Sequence, residues 1–153
     1  MHLQNWLPND AQMLQPLLNR LHGLLPPCKT QTHLLHLGTD GEIGPHIDNI
    51  YASGPWLLAV SLGATRILRM ENCKDPRDVF EVLLPSGSVY ILRLPFSSPV
   101  FILTLTCFSR SSMRYDYKHS ILKKTIFRGE VHPAGQRLSI MIRVRPFVEL
   151  TDK

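Results

Sequence analysis

Between residues 9 and 25 the apolar positions Leu14, Leu17, Leu18, Leu21 and Leu25 recur at three- and four-residue spacing, the period of a helix that buries one stripe. Asn9 or Asp10 can cap this helix, and Pro26-Pro27 ends it. Pro16 lies inside the pattern and removes one backbone donor, so the helix is expected to start near it or bend there. After Cys28 the period drops to two. Short β-like runs, broken by Gly, Pro, Asn and Asp, occupy 32–37, 46–51, 56–62, 66–70, 79–84, 88–93, 115–122 and 138–144. Strands this short and this evenly spaced predict a mainly β fold, a double-stranded β-helix or jelly roll, with the N-terminal helix as its support.

The chain has 153 residues, which suits a single domain over 1–153 with one core. Lys and Arg number 17 against 12 Asp and Glu, a net charge of +5, which favours anionic partners without making the protein a nucleic-acid binder. Arg66, Arg69, Lys74, Arg110, Arg114, Lys123, Lys124 and Arg128 could meet phosphates, but they are scattered and read first as a solvated surface. Cys28, Cys73 and Cys107 lie far apart without a Cys-x-x-Cys pair, so neither a disulfide framework nor a zinc ribbon is expected. No apolar run is long enough to span a bilayer, the nearest being 100–108, so no membrane partner is expected. Residues 1–33 hold only Arg20 and Lys29 as cations, a poor composition for a transit peptide. A monomer is the expected state.

Candidate chemistry starts at GPHIDN, where His46 and Asp48 stand two apart in an expected strand and would project from one face. By itself such a pair carries little weight, because a strand-borne His is commonly a hydrogen-bonded structural residue. The run YDYKHSIL offers His119 as a third ligand, on a face shared with Tyr115 and Tyr117. Two imidazoles and one carboxylate leave three open positions on an octahedral ion, the set suited to ferrous iron that must bind a bidentate co-substrate and dioxygen. The last strand adds an independent signal. Alternation puts Arg137, Ser139, Met141 and Arg143 on one face, and Leu138, Ile140 and Ile142 on the other. If the apolar face packs against a helix, the arginines enter the interior, where an unpaired charge costs several kcal/mol and a bound dianion would relieve it.

His46-x-Asp48, then His119, then Arg137-x-Ser139-x-x-x-Arg143, with 18 residues from His119 to Arg137, resembles the AlkB-like Fe(II)- and 2-oxoglutarate-dependent dioxygenases. The strings GPHIDNI, LLPSGSVYILR, RYDYKHSIL and PAGQRLSIMIR are similar to a mitochondrial branch of that family, and the likeness covers 33–143. It implies that His46, Asp48 and His119 ligate iron and that Arg137 pairs with the 5-carboxylate of 2-oxoglutarate. Ser139, Arg143 and Tyr90 would complete that pocket. It also implies 2-oxoglutarate and dioxygen as co-substrates, a catalytic core over about 33–145, and the mitochondrial matrix as the compartment.

Three departures qualify what the resemblance implies. The Asn-x-Tyr pair that the nucleotide demethylases carry upstream of His-x-Asp is replaced by Leu35 and Leu37 in HLLHLG, leaving Tyr90 to take over that contact. The 71 residues from Asp48 to His119 exceed the usual spacing, and the surplus falls in an expected insertion at 94–112. The short region before His46 leaves no room for a base-clamping lid, which weighs against an efficient nucleobase demethylase. A protein side chain and RNA therefore both stand as substrates. A jelly-roll interaction module with lapsed catalysis is the alternative outside enzymology.

Overall fold

The computed structural model describes residues 8–49, 54–93 and 113–144. Helix α1 (Pro8–His22) continues through Pro16 instead of starting there. It begins at Pro8, one residue before the expected caps, because the first helical position has no intrahelical use for the N–H that proline lacks. Tighter backbone bonds close its end, Leu24 N to Leu21 O at 3.1 Å and Leu25 N to His22 O at 3.0 Å. These turn Leu21 and Leu25 into the core, where both are buried.

The strands are β1 (Thr30–Leu37), β2 (Ile43–His46), β3 (Trp56–Gly63), β4 (Arg66–Asn72), β5 (Val79–Leu84) and β6 (Ser88–Arg93). A short helix α2 (Met113–Asp116) leads into β7 (Tyr117–Leu122), then β8 (Ile126–Phe127), β9 (Glu130–Val131) and β10 (Arg137–Val144). One four-stranded sheet has the order β1-β10-β3-β6 and another the order β2-β7-β4-β5, with β8 and β9 forming a small hairpin. Every pairing is antiparallel. Apart from the β4–β5 hairpin and the small β8–β9 hairpin, successive strands alternate between the two sheets, an arrangement consistent with a jelly roll. Among the described residues no ladder joins the sheets into a closed barrel.

Period-two alternation divides the apolar residues into two cores. Between the sheets lie Leu37, Leu57, Leu68, Met70, Leu84, Leu92, Tyr117 and Ile121, with Tyr90 and Met141 against them. Outside the first sheet, Leu58, Val60, Ile140 and Ile142 pack under Leu21 and Leu25. The helix thus covers the apolar face of β10, and the opposite face of that strand, with Arg137, Ser139, Met141 and Arg143, turns inward.

Three local expectations differ from the fold. The strand expected at 46–51 is instead Ile43–His46, so Asp48 and Asn49 follow it as loop, while 50 and 51 lie outside the described residues. Tyr115 belongs to α2 and not to β7, so it does not share a strand face with His119; its hydroxyl donates to Gly54 O at 3.3 Å. The hairpin β8–β9 was not expected; Arg128 (φ 50°) and Gly129 (φ 87°) make the two-residue turn with positive φ that suits a tight hairpin. The expected insertion at 94–112 lies outside the described residues, as do 145–153.

Candidate metal centre

His46 and His119 face each other directly across the β2–β7 ladder. Their ring centroids are 4.3 Å apart. A register shift between Ile43 and His46 makes this possible. Ile43 packs into the inter-sheet core, and strict alternation would turn a residue three positions on to the outside. The bulge restores His46 to the inner face. It falls at Gly44-Pro45 on an edge strand, where a proline without an N–H is tolerated.

Asp48 reaches the same point from the loop. Its Oδ1 lies 3.8 Å from His46 Nε2 and 3.9 Å from His119 Nε2. One ligand atom from each of the three residues can be chosen so that all lie within 4.8 Å of one another. The sequence-expected ligands therefore converge, although Asp48 gets there through a loop and not through strand alternation. His46 Nδ1 lies 2.9 Å from Gly44 O, an acceptor, so Nδ1 is the donor there and Nε2 is the nitrogen turned toward Asp48. Asp48 is 6% exposed and His119 is 8%, whereas the His46 side chain is 42% exposed. The cluster is thus walled on one side and open on the other. Arg143 Nη2 donates to Asp48 Oδ1 at 3.2 Å, which orients the carboxylate.

Behind the cluster the pocket is cationic. Arg137 is 2% exposed and donates from Nε to Ser61 Oγ at 2.9 Å. Its Nη2 is buried without a hydrogen-bond partner, as is Ser139 Oγ. Burial pushes the Arg137 guanidinium below its ordinary value; Tyr90, hydrogen-bonded to it, pulls the other way, and Arg66 pushes it further down. Tyr90, Arg137, Ser139 and Arg143 all sit on the inward face of the first sheet, Ser139 opposite Ser61 and Tyr90 opposite Ala59. Leu35 and Leu37 lie across the β1–β10 ladder from Ser139 and Arg137.

Arg66 corrects the charge reading. Counted among the scattered surface cations, it is in fact 2% exposed. The alternation that turned Arg137 inward was legible here too, since Arg66, Leu68 and Met70 share one face of β4 and the last two are core.

No family model matches the chain. Among curated proteins it is similar to the alpha-ketoglutarate-dependent dioxygenase alkB homolog 7, mitochondrial, of Bos taurus, with 33% identity over 119 residues, 76% of this chain and 46% of that protein. The mouse protein of the same name is 32% identical over 143 residues, 92% of this chain and 57% of its own length. The chain is homologous to the AlkB-family dioxygenases. It spans about half the length of the curated relatives it matches. Homology and the 2-His-1-Asp cluster together support an Fe(II)/2-oxoglutarate dioxygenase fold. Among the described residues no helix is long and apolar enough to cross a membrane.

Proposed function

We propose that this chain is an Fe(II)- and 2-oxoglutarate-dependent dioxygenase of the mitochondrial AlkB branch, acting on a protein side chain or RNA. On this reading His46, Asp48 and His119 hold the iron, and Arg137, Ser139, Arg143 and Tyr90 hold 2-oxoglutarate. Residues 33–145 form the catalytic core of one domain, with 94–112 as an insertion. The observation that carries the proposal is a buried guanidinium with an unsatisfied donor, Arg137 Nη2, facing the same inter-sheet space as the three-ligand cluster.

The residues fit both groups. Two imidazoles and a carboxylate match ferrous iron and leave positions for a chelating ligand. Arg137 Nη2 and Ser139 Oγ are donors awaiting an acceptor, and a carboxylate supplies two such oxygens. When bound, iron and 2-oxoglutarate supply the oxidation of a C–H bond by dioxygen, with 2-oxoglutarate decarboxylated to succinate.

The chain's own residues orient and insulate. The Gly44 carbonyl fixes the His46 ring, and Arg143 fixes the Asp48 carboxylate. Ser61 and Tyr90 hold the Arg137 guanidinium in place, so little reorganisation is needed when a carboxylate arrives. Leu37, Leu57 and Leu92 line the space between the sheets and keep water from it. Hydroxylation at an N-methyl group would release formaldehyde, and hydroxylation at a side-chain carbon would leave an alcohol. Purified protein supplied with Fe(II) is expected to consume 2-oxoglutarate slowly, and His46→Ala and Asp48→Ala to abolish that consumption. Unchanged turnover in either variant contradicts the proposal.

A further inference from the structure

Arg66 opens β4 in phase with Leu68 and Met70, so its side chain enters the space between the sheets. Its Nη2 lies 2.8 Å from Gly38 O, 2.9 Å from Thr39 O and 2.7 Å from Gly135 O. Gly38 follows Leu37, the residue that pairs with Arg137 across β1 and β10, and Gly135 stands two positions before Arg137. One guanidinium therefore ties together the two loops flanking the first residue of the Arg137 strand.

The three carbonyls bring partial charges only, and none of them neutralises the guanidinium. Arg66 thus places a second cation in the interior. Its Nε, like Nη2 of Arg137, is buried without a hydrogen-bond partner. Among the described residues the buried polar side chains are Asp48, Ser61, Arg66, His119, Ser120, Arg137 and Ser139. The one carboxylate in that set already accepts from Arg143. Two enclosed guanidiniums with no buried anion of their own among the described residues repel each other and are costly unless a ligand brings negative charge.

We infer that Arg66 is a positioning residue of the carboxylate seat: it holds the backbone at Gly38, Thr39 and Gly135 so that Arg137 points inward, and it adds a second positive charge behind that seat. The inference rests on the reading of Arg137 as the anchor for the distal carboxylate of 2-oxoglutarate. It adds a source of dicarboxylate selectivity that does not touch the ligand.

The test is calorimetric binding of 2-oxoglutarate and of 2-oxobutyrate, which lacks the distal carboxylate, to the full chain loaded with Mn(II), as wild type, Arg66→Gln and Arg66→Lys. In Arg66→Gln the preference for 2-oxoglutarate over 2-oxobutyrate is expected to fall at least about tenfold, as loss of one enclosed charge near a carboxylate requires. Arg66→Lys should keep that preference near neutral pH. A buried ammonium, unlike a guanidinium, can discharge as pH rises, so the Lys variant should lose selectivity with rising pH relative to wild type. This second profile decides the matter if Arg66→Gln does not fold. A folded Arg66→Gln with wild-type selectivity, or a Lys variant whose profile follows wild type throughout, overturns the role of Arg66 and leaves the Arg137 reading standing. Failure of the wild type to prefer 2-oxoglutarate overturns both.

Discussion

Replacing Arg137 with methionine should make the ligand-free protein more stable while removing its response to 2-oxoglutarate. Arg137 is 2% exposed, and its buried Nη2 has no hydrogen-bond partner. The guanidinium is held below its ordinary value, chiefly by burial, even with Tyr90 beside it. The sign follows from that direction: a base whose charged form is disfavoured in the fold lowers stability at every pH where it stays charged, which for a guanidinium covers the working range. Methionine of similar length removes the charge and gives up the bonds to Ser61, at 2.9 Å, and to Tyr90. Apolar replacement of buried ionic groups is commonly neutral or stabilising by about 1–4 kcal/mol, and the lost bonds to Ser61 and Tyr90 together offset roughly 1–3 kcal/mol of any such gain. A net gain of about 1 kcal/mol corresponds to a rise in Tm of roughly 2–4 °C for a chain of this size. Thermal unfolding with and without millimolar 2-oxoglutarate reads both effects. Wild type should gain Tm from the ligand by mass action, and Arg137→Met should start higher and gain nothing. A variant that melts well below wild type yet still responds to 2-oxoglutarate would make Arg137 a structural residue and not a ligand anchor.

Three further outcomes follow from named contacts. His119→Ala should weaken Mn(II) binding at least about a hundredfold by calorimetry, as loss of one of three protein ligands implies; retained affinity would place the metal elsewhere. Leu58, fully buried under α1, should cost about 2–5 kcal/mol on replacement by alanine in urea unfolding, and a loss below about 0.5 kcal/mol would mean that the helix does not cover that face. Gly63 has φ +85°, and a Cβ there would stand 2.5 Å from Gln136 O, next to Arg137. Gly63→Ala should therefore lower both stability and 2-oxoglutarate affinity, whereas unchanged affinity in a destabilised variant would uncouple that turn from the seat.

Much of this was legible in the sequence, for reasons that differ by element. The inward arginines of β10 were readable because a period-two pattern with apolar residues on one face leaves the other face nowhere to go but inward once α1 covers the first. His119 was readable through its spacing to Arg137. The approach of Asp48 was not: His-x-Asp suggested strand alternation, while the fold uses a bulge at Gly44-Pro45 and then a loop. Bulges depend on the partner strand and leave only a faint trace, here a Gly-Pro pair in an edge strand. Tyr115 was placed on the wrong element because apolar alternation continues unbroken across the end of α2. Arg66 was missed for a different reason. Its neighbours carried the same signal as those of Arg137, but in a net-basic chain one arginine among many reads first as surface.

Whether one ion and one dicarboxylate share the space between the sheets is read by titrating 2-oxoglutarate into the protein with and without Mn(II). Adjacent sites must be coupled, so one Mn(II) per chain should tighten 2-oxoglutarate binding, and 2-oxoglutarate should tighten Mn(II) binding by the same factor. A folded protein that binds neither, or binds each with no effect on the other, has no such shared site.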